Sequence, residues 1–273
     1  MSYFLQHQQN NLWHGKFSLF PERLAVHAIS TRQAGVSKKP YDSLNLAFHV
    51  GDDAASVWRN RVIFANSLGL KAEDIVSPQQ VHGSHVLRVT AEHRGRGARS
   101  YETAIGETDA LITDEPGLPL LLCFADCTPV LFLDPEHKAV GIAHAGWKGT
   151  MQRIAQRTLE AMSREFKTEP SECLAGIGPA IGSCCYEVGE EIVDACRREF
   201  PGKAEKLLSS KEGKPHFDLW AANRLQLLEA GMQPQNIESA GHCTACERPW
   251  YFSYRADGGV TGRIAAIIAL QKY

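Results

Sequence analysis

The sequence predicts a protein of the mixed α and β class that folds around one core, and three observations lead to this prediction. The chain has 273 residues, of which 44% are hydrophobic and 22% charged, as in ordinary globular proteins. Apolar strand-like runs alternate with amphipathic helical segments along its whole length. No repeat at a fixed period and no linker divides the sequence, which favours a single domain.

Apolar runs bounded by Gly, Pro and Asp predict the strands. In chain order these extended segments are Leu24–Ser30, Leu44–Val50, Ile75–Val81, His85–Thr90, Ala110–Thr113, Pro119–Leu133 and Ala139–Ala145. The last segment, Thr261–Leu270, is apolar at every position after Arg263, so its periodicity does not distinguish a helix from a strand.

Apolar residues three and four positions apart predict four helices. These are Ala54–Leu68, Thr150–Phe166, Tyr186–Phe200 and Leu219–Ala230. Gly69 and Gly231 follow the first and the last of them, where a glycine commonly ends a helix. Asp52 or Asp53 is expected to cap the first helix.

Charge and composition exclude several classes of function. The 29 Lys and Arg residues nearly balance the 31 Asp and Glu residues, so the chain offers no overall electrostatic footprint for nucleic acid. No apolar run is long enough to cross a membrane, and the polar start lacks the features of a secretory signal. We therefore expect a cytoplasmic protein without a nucleic-acid or membrane partner, with residues 1–22 as an N-terminal extension and 23–273 as the domain.

Cys127 and His144 flank a predicted β-hairpin. Between them lies the turn Asp134-Pro135-Glu136-His137, whose Asp and Pro suit a type I turn. If Asp134 pairs with His137, Cys127 lies opposite His144, with Cβ atoms about 4.5 to 5.5 Å apart. That separation allows a thiolate and an imidazole to share a metal ion.

A third ligand is needed to hold such an ion, and His82, at the end of an extended segment, is the best candidate. His85 is the second choice. A competing interpretation needs no metal, because Cys127 could act as a nucleophile with His144 as its base. Spacing alone leaves both interpretations open.

A series of motifs carries a resemblance to a known family. They are Gln80-Val81-His82-Gly83, Thr108-Asp109-Ala110, Ala125-Asp126-Cys127-Thr128-Pro129-Val130, His144-Ala145-Gly146-Trp147-Lys148-Gly149, Gly178-Pro179-Ala180-Ile181-Gly182, Cys185-Tyr186-Glu187-Val188 and Phe252-Ser253-Tyr254-Arg255 through Thr261-Gly262-Arg263. From about Leu24 to Leu270, the chain resembles the YfiH-type laccase-domain family. That family was first called multicopper polyphenol oxidoreductase and is now regarded as purine nucleoside phosphorylase.

The resemblance implies an α+β fold with two layers of mixed β-sheet flanked by helices. It also implies one zinc ion held by the catalytic residues His82, Cys127 and His144. The implied reactions are phosphorolysis of adenosine, inosine and methylthioadenosine, and deamination of adenosine. The older laccase label fits poorly, because a multicopper oxidase needs many His ligands. We expect a monomer that takes a purine nucleoside and phosphate.

Two alternatives remain beside the phosphorylase. Relatives of the family resemble deamidating toxins, which keeps a metal-free Cys-His amide hydrolase open. A link of some relatives to peptidoglycan editing keeps open a protein that edits or binds a peptidoglycan precursor and carries a zinc site.

Contacts to the substrate are less sharply predicted. The resemblance implies Arg32 as an anion contact, and Lys148 is expected to reach the same cleft. Trp147, Tyr186, Phe252 and Tyr254 are candidates for stacking on a purine. The proton carrier stays open among Asp126, Asp109 and Glu187. The pair Cys243 and Cys246, and the adjacent Cys184 and Cys185, are interpreted as structural or packed thiols.

Overall fold

The computed structural model describes residues 3–8 and 12–272, and within them it contains thirteen β-strands and five α-helices. The strands are β1 (Phe4–His7), β2 (Trp13–Lys16), β3 (Ala25–Ser30), β4 (Val86–Arg88), β5 (Ala110–Thr113), β6 (Leu120–Phe124), β7 (Thr128–Asp134), β8 (Ala139–Ala145), β9 (Leu174–Ile177), β10 (Leu208–Lys211), β11 (Lys214–Phe217), β12 (Ile237–Ser239) and β13 (Ile264–Leu270). The helices are α1 (Ala54–Ser67), α2 (Trp147–Met151), α3 (Ile154–Phe166), α4 (Glu190–Glu199) and α5 (Leu219–Glu229). Among the described residues, no helix combines the length and the apolar character needed to cross a membrane.

The strands form two large sheets and one small hairpin. The five-stranded sheet is antiparallel, in the order β1-β2-β3-β13-β6. The six-stranded sheet has the order β12-β9-β7-β8-β5-β4, with parallel pairs at its two ends and antiparallel pairs between them. Strands β10 and β11 pair separately. The α+β class is confirmed.

Strands β1 and β2 lie in the segment 1–22 that is predicted to be an extension. β2 pairs with β3, so these strands lengthen the five-stranded sheet. Residues 1, 2 and 9–11 of that segment lie outside the described residues, as does residue 273. The division into an extension and a domain stays a prediction.

The two sheets pack face to face, and helices cover their outer faces. The core between the sheets includes Leu122 and Ile268 from the first sheet and Leu131 and Ile142 from the second. α1 covers the outside of the five-stranded sheet. α3 and α5 cover the outside of the six-stranded sheet. The result is a layered helix–sheet–sheet–helix arrangement, in which every strand side chain of β13 is buried.

Burial on both faces explains why the period of the C-terminal run is unreadable. Ile264 and Ala266 in β13 point into the core between the sheets, whereas Ala265 and Ile267 point towards α1. A strand covered on both faces is apolar at every position. The ambiguous segment is therefore a central strand.

The predicted register of the β7–β8 hairpin is wrong by two residues. Asp134 pairs with Ala139, so four residues form the turn, and His144 pairs with Pro129. The Asp134 carboxylate accepts hydrogen bonds from the backbone N–H groups of Glu136 and His137 at 3.0 and 2.9 Å, which stabilises this wider turn. A shift of two keeps each side chain on its predicted face of the strand.

Cys127 lies just before β7, at the point where the chain passes from one sheet to the other. The predicted strand Pro119–Leu133 is two strands, because Asp126 adopts a left-handed conformation with φ of 84°. β6 ends at Phe124 in the five-stranded sheet, and β7 begins at Thr128 in the six-stranded sheet. Cys127 is therefore positioned by strands of both sheets.

Two predicted helices also differ in their bounds. The predicted helix Thr150–Phe166 is divided into α2 and α3, because Arg153 between them is left-handed with φ of 62°. The predicted helix Tyr186–Phe200 begins only at Glu190, after a turn. α1 begins after Asp53, whose side chain accepts a hydrogen bond from Ser56 N, as expected of its cap.

Candidate functional site

The structure brings His82, Cys127 and His144 together. One ligand atom from each residue lies within 4.8 Å of the others. His82 comes from the loop before β4, Cys127 from the crossover between the sheets, and His144 from β8. His85 lies outside this group, and its Nδ1 is 3.1 Å from the Thr108 hydroxyl.

The loop that carries His82 wraps around the carboxylate of Asp109. The N–H groups of Val81 and Gly83 donate to Asp109 Oδ2 at 3.2 and 2.7 Å, and the N–H of His82 donates to Oδ1 at 3.0 Å. His82 itself is left-handed, with φ of 61°. Three backbone donors on one carboxylate hold this strained turn in place.

Asp109 also orients the second imidazole. Its Oδ1 lies 2.8 Å from His144 Nδ1, and both side chains are buried. Burial would raise the pKa of Asp109, but the hydrogen bonds from His144 and from the backbone lower it below its usual value. A carboxylate on one ring nitrogen fixes the tautomer and leaves the other nitrogen for a metal.

Cys127 and His144 shift each other's protonation. Burial opposes the charged thiolate, but the adjacent His144 and His82 outweigh it and lower the pKa of Cys127 to about 6. Burial also opposes a charged His144, yet the Cys127 thiolate and Asp109 raise its pKa to about 9. Each of the two groups therefore favours the charged form of the other.

Gly146 and Gln80 also help to position the group of His82, Cys127 and His144. A Cβ added to Gly146 would lie 2.9 Å from Cys127 Sγ and 3.1 Å from His82 Cδ2, so this position has no room for a side chain. The Gln80 side chain pairs with the backbone of Cys123 in β6, donating to its carbonyl and accepting from its N–H, both at 2.8 Å. The His82 loop is thereby fastened to the edge of the five-stranded sheet.

The three residues open into a cleft of about 520 Å³. Its wall combines two arginines, several aromatic rings and apolar side chains. They include Arg255, Arg263, Trp147, Tyr186, Tyr254, His49, Gln80, Asp126, Ile181 and Leu219.

Neither predicted phosphate contact lines this cleft. Arg32 lies elsewhere, where its Nε and Nη2 donate to the carbonyl of Asp42 at 3.0 and 2.9 Å and its guanidinium stacks on Phe252. Lys148 faces a different depression beside α2 and lies over the ring of Trp147. Arg32 is occupied by loop contacts, and Lys148, in α2, lines the other depression.

The arginines in the cleft are Arg255 and Arg263, to which sequence reasoning assigned no role. Arg263 Nη1 donates to the carbonyls of Thr261 and Gly262, and its guanidinium lies over the ring of Tyr254. Arg255 Nη1 donates to the carbonyl of Glu187. Both lie in the last motifs that carry the family resemblance, and this position is the signal by which the sequence could have identified them.

Three of the four aromatic candidates line the cleft. Trp147, Tyr186 and Tyr254 line the cleft, whereas Phe252 is fully buried. Tyr254 is 54% exposed, which is unusual for a large ring, although the Arg263 guanidinium lies over one face of it.

The three candidate proton carriers have different surroundings. Asp109 holds the two His residues. Asp126 lines the cleft, but its oxygens accept from Thr244 Oγ1 at 2.6 Å and from Arg255 N at 2.7 Å. Glu187 pairs with Lys214 and lies outside the cleft lining.

A family model described as multi-copper polyphenol oxidoreductase laccase matches residues 26–271. The chain belongs to this family. It is 43% identical over 247 residues to a protein of Geobacillus stearothermophilus named purine nucleoside phosphorylase YlmD, with 89% of each chain covered. It is 36% identical over 240 residues to adenosine deaminase RL5 from an unknown prokaryotic organism, covering 87% of this chain and 91% of that one.

Solved structures of the family share the fold. The crystal structure of YlmD from Geobacillus stearothermophilus matches with a TM-score of 0.93 and 39% identity, covering 98% of this chain and 99% of that one. The Bacillus licheniformis protein YfiH matches with a TM-score of 0.88 and 41% identity, covering 90% and 93%. The expected family and layered fold are confirmed.

Proposed function

We propose that this chain is a zinc-dependent purine nucleoside phosphorylase acting on adenosine, inosine and methylthioadenosine, with adenosine deaminase activity. The observation that carries the proposal is the convergence of His82, Cys127 and His144 at a cleft lined by two arginines and three aromatic side chains. Relatives named phosphorylase and deaminase support it.

The donor set fits zinc. Two imidazoles and one thiolate are ligands that zinc accepts readily, and three protein ligands leave a position open for catalysis. The Asp109–His144 hydrogen bond is the outer contact that usually accompanies such a ligand. A bound zinc supplies Lewis-acid polarisation of a substrate oxygen or of water. This single three-residue group does not match the many His ligands of a multicopper oxidase.

Phosphate binding is assigned to the arginines of the cleft. In phosphorolysis, a phosphate oxygen forms a bond to C1′ of the ribose, the bond from C1′ to N9 breaks, and the purine takes up a proton. Arg263 and Arg255 provide positive charge for the phosphate, and a planar guanidinium matches its oxygens. Arg263 is held by two carbonyls, which keeps its position fixed.

Purine binding is assigned to the aromatic wall. Tyr254 offers an exposed ring, and Trp147 and Tyr186 line the same space. The cleft volume is within the range of small-molecule sites. In deamination, water adds to C6 of the same base and ammonia leaves, so one base pocket serves both reactions.

A metal-free Cys-His amide hydrolase is the second candidate. The observation that favours it is the position of the Cys127 sulfur beside His144, which lowers the pKa of the thiol, and a thiolate is a nucleophile. A third candidate, a protein that binds or edits a peptidoglycan precursor, would use the zinc only as a structural ion.

The test combines metal analysis with product analysis. Adenosine and phosphate should give adenine and ribose 1-phosphate, and adenosine alone should give inosine. Cys127→Ala should abolish both reactions and lower the zinc content. Activity on amides that survives chelation would support the hydrolase, and loss of stability on chelation without turnover of any nucleoside would support the binding protein.

A further inference from the structure

Four other cysteines form a second group of potential metal ligands. The sulfur atoms of Cys184, Cys185, Cys243 and Cys246 all lie within 4.8 Å of one another. The first two lie in the turn before α4, and the other two lie in the turn after β12. In sequence, the CxxC pair and the adjacent pair are about 60 residues apart, and each pair alone is weak evidence.

The sulfur separations suit a shared metal better than a disulfide. Cys246 Sγ lies 3.3 Å from Cys185 Sγ and 3.6 Å from Cys184 Sγ. A disulfide needs about 2.05 Å. In a tetrahedral zinc site with Zn–S bonds of about 2.3 Å, neighbouring sulfurs are about 3.8 Å apart. All four thiols converge on one point, as four ligands must.

Backbone hydrogen bonds build the frame around this group. Ala180 N donates to the carbonyl of His242, and Thr244 N donates to the carbonyl of Ala180, which ties the two loops together. Gly182 N donates to Cys243 Sγ at 3.3 Å. A backbone N–H aimed at a sulfur is a common outer contact of metal thiolates.

We propose that Cys184, Cys185, Cys243 and Cys246 bind a second zinc ion as a structural tetrathiolate site. Four sulfur ligands complete the tetrahedron, so no position is open for a substrate. The Lys211 ammonium, whose Nζ lies 3.4 Å from the carbonyl of Cys184, adds positive charge beside the anionic site.

This site fastens two loops that form part of the cleft wall. Tyr186 follows Cys185 directly and lines the cleft. Thr244, between Cys243 and Cys246, donates to the Asp126 carboxylate at 2.6 Å. Because Asp126 precedes Cys127 at the sheet crossover, the second zinc holds in place the turn from which Cys127 projects.

The test is the zinc content of single variants purified without added chelator. Wild type should contain about two zinc ions per chain, one for each group of ligands. Cys184→Ser and Cys246→Ser should each lose one of them, and Cys127→Ala should lose the other. Cys196→Ala is the matched control, because Cys196 is a buried cysteine of α4 outside both groups.

Cobalt gives an independent readout. In Co²⁺-substituted protein, the strong absorption of four thiolates bound to cobalt should persist in Cys127→Ala, whereas in Cys246→Ser it should fall towards the weaker absorption of the single Cys127 thiolate. A wild type with about one zinc that Cys127→Ala removes would overturn the proposal, and so would a Cys185–Cys246 disulfide in protein prepared without oxidant. If the serine variants do not fold, the wild-type count and the cobalt spectrum of Cys127→Ala still decide.

Discussion

The Asp109 carboxylate accepts from the backbone of His82 and lies 2.8 Å from His144 Nδ1, so one buried side chain orients both histidines of the candidate centre. Asp109 itself does not line the cleft. The loop before β4 and the strand β8 therefore meet at a single carboxylate.

Replacing Asp109 by Asn should weaken zinc binding about 10- to 100-fold, the usual cost of losing an outer carboxylate. The amide keeps the volume but removes the charge and one acceptor oxygen. Competition with a chromophoric chelator measures the affinity. Asp114→Asn is the control, since Asp114 is a surface carboxylate paired with Arg88. An unchanged affinity in Asp109→Asn would show that His144 needs no such partner.

The two histidines of the loop before β4 should behave differently. His82→Ala removes a ligand and should lower the zinc content by about one ion per chain and abolish turnover. His85→Ala should leave both near normal, because the His85 side chain hydrogen-bonds with Thr108 and lies outside the ligand group. The thermal midpoint should change little in either, since most of the core lies elsewhere. Loss of metal from His85→Ala with retention in His82→Ala would reverse the ligand assignment.

Gly146→Ala should disturb the centre without touching a ligand. The new methyl group would come within 2.9 Å of Cys127 Sγ, so the sulfur or the backbone must move. We expect lower zinc occupancy and a loss of activity of at least about 10-fold, as for other shifts of metal ligands. Gly106→Ala is the matched control, because nothing lies within 4 Å of its added Cβ. Equal activity of the two variants would contradict the close approach.

Acid sensitivity should come in part from His27, far from the centre. Burial, followed by the effect of Lys16, lowers the pKa of His27 to about 3, and its Nε2 accepts a hydrogen bond from Phe17 N. The neutral ring is compatible with the fold above the unfolded pKa of about 6.5, and stability is lost as pH falls below that value. By pH 5 the loss from this residue amounts to about 2 kcal/mol.

His27→Gln keeps an acceptor for Phe17 and removes the titrating group. Urea unfolding of wild type and variant at pH 7 and pH 5 measures the difference. The free energy of unfolding should fall by about 2 kcal/mol less in the variant. Identical pH dependence would show that His27 is not protonated during acid unfolding.

Residue types and motifs predict the candidate centre correctly, although the predicted register of the β7–β8 hairpin is wrong. Cys127 lies before the ladder and His144 faces Pro129. The conclusion survived because the shift preserves the face of the strand from which His144 projects, and because the crossover between the sheets places Cys127 beside it. The wider turn depends on the hydrogen bonds that the Asp134 carboxylate accepts from two backbone N–H groups, and the turn motif alone does not show them.

Other features depended on contacts distant in sequence. The four-cysteine group forms only because the turn before α4 packs on the turn after β12, and no local pattern places those turns together. Arg263 reaches the cleft because β13 is a central strand of the first sheet, which its apolar run could not establish. Local periodicity predicts where helices and strands lie, but these sites form only where elements distant in sequence pack together.

The segment that carries His82 also covers an edge strand of the five-stranded sheet. Strand β6, at the end of that sheet, is bonded on its outer side by Val76, whose N–H donates to Pro119 and whose carbonyl accepts from Leu121, and by the Gln80 amide. An unpaired apolar strand edge invites association with other chains. A change that loosens this segment would therefore both displace the ligand His82 and expose a strand edge that favours aggregation of otherwise folded molecules.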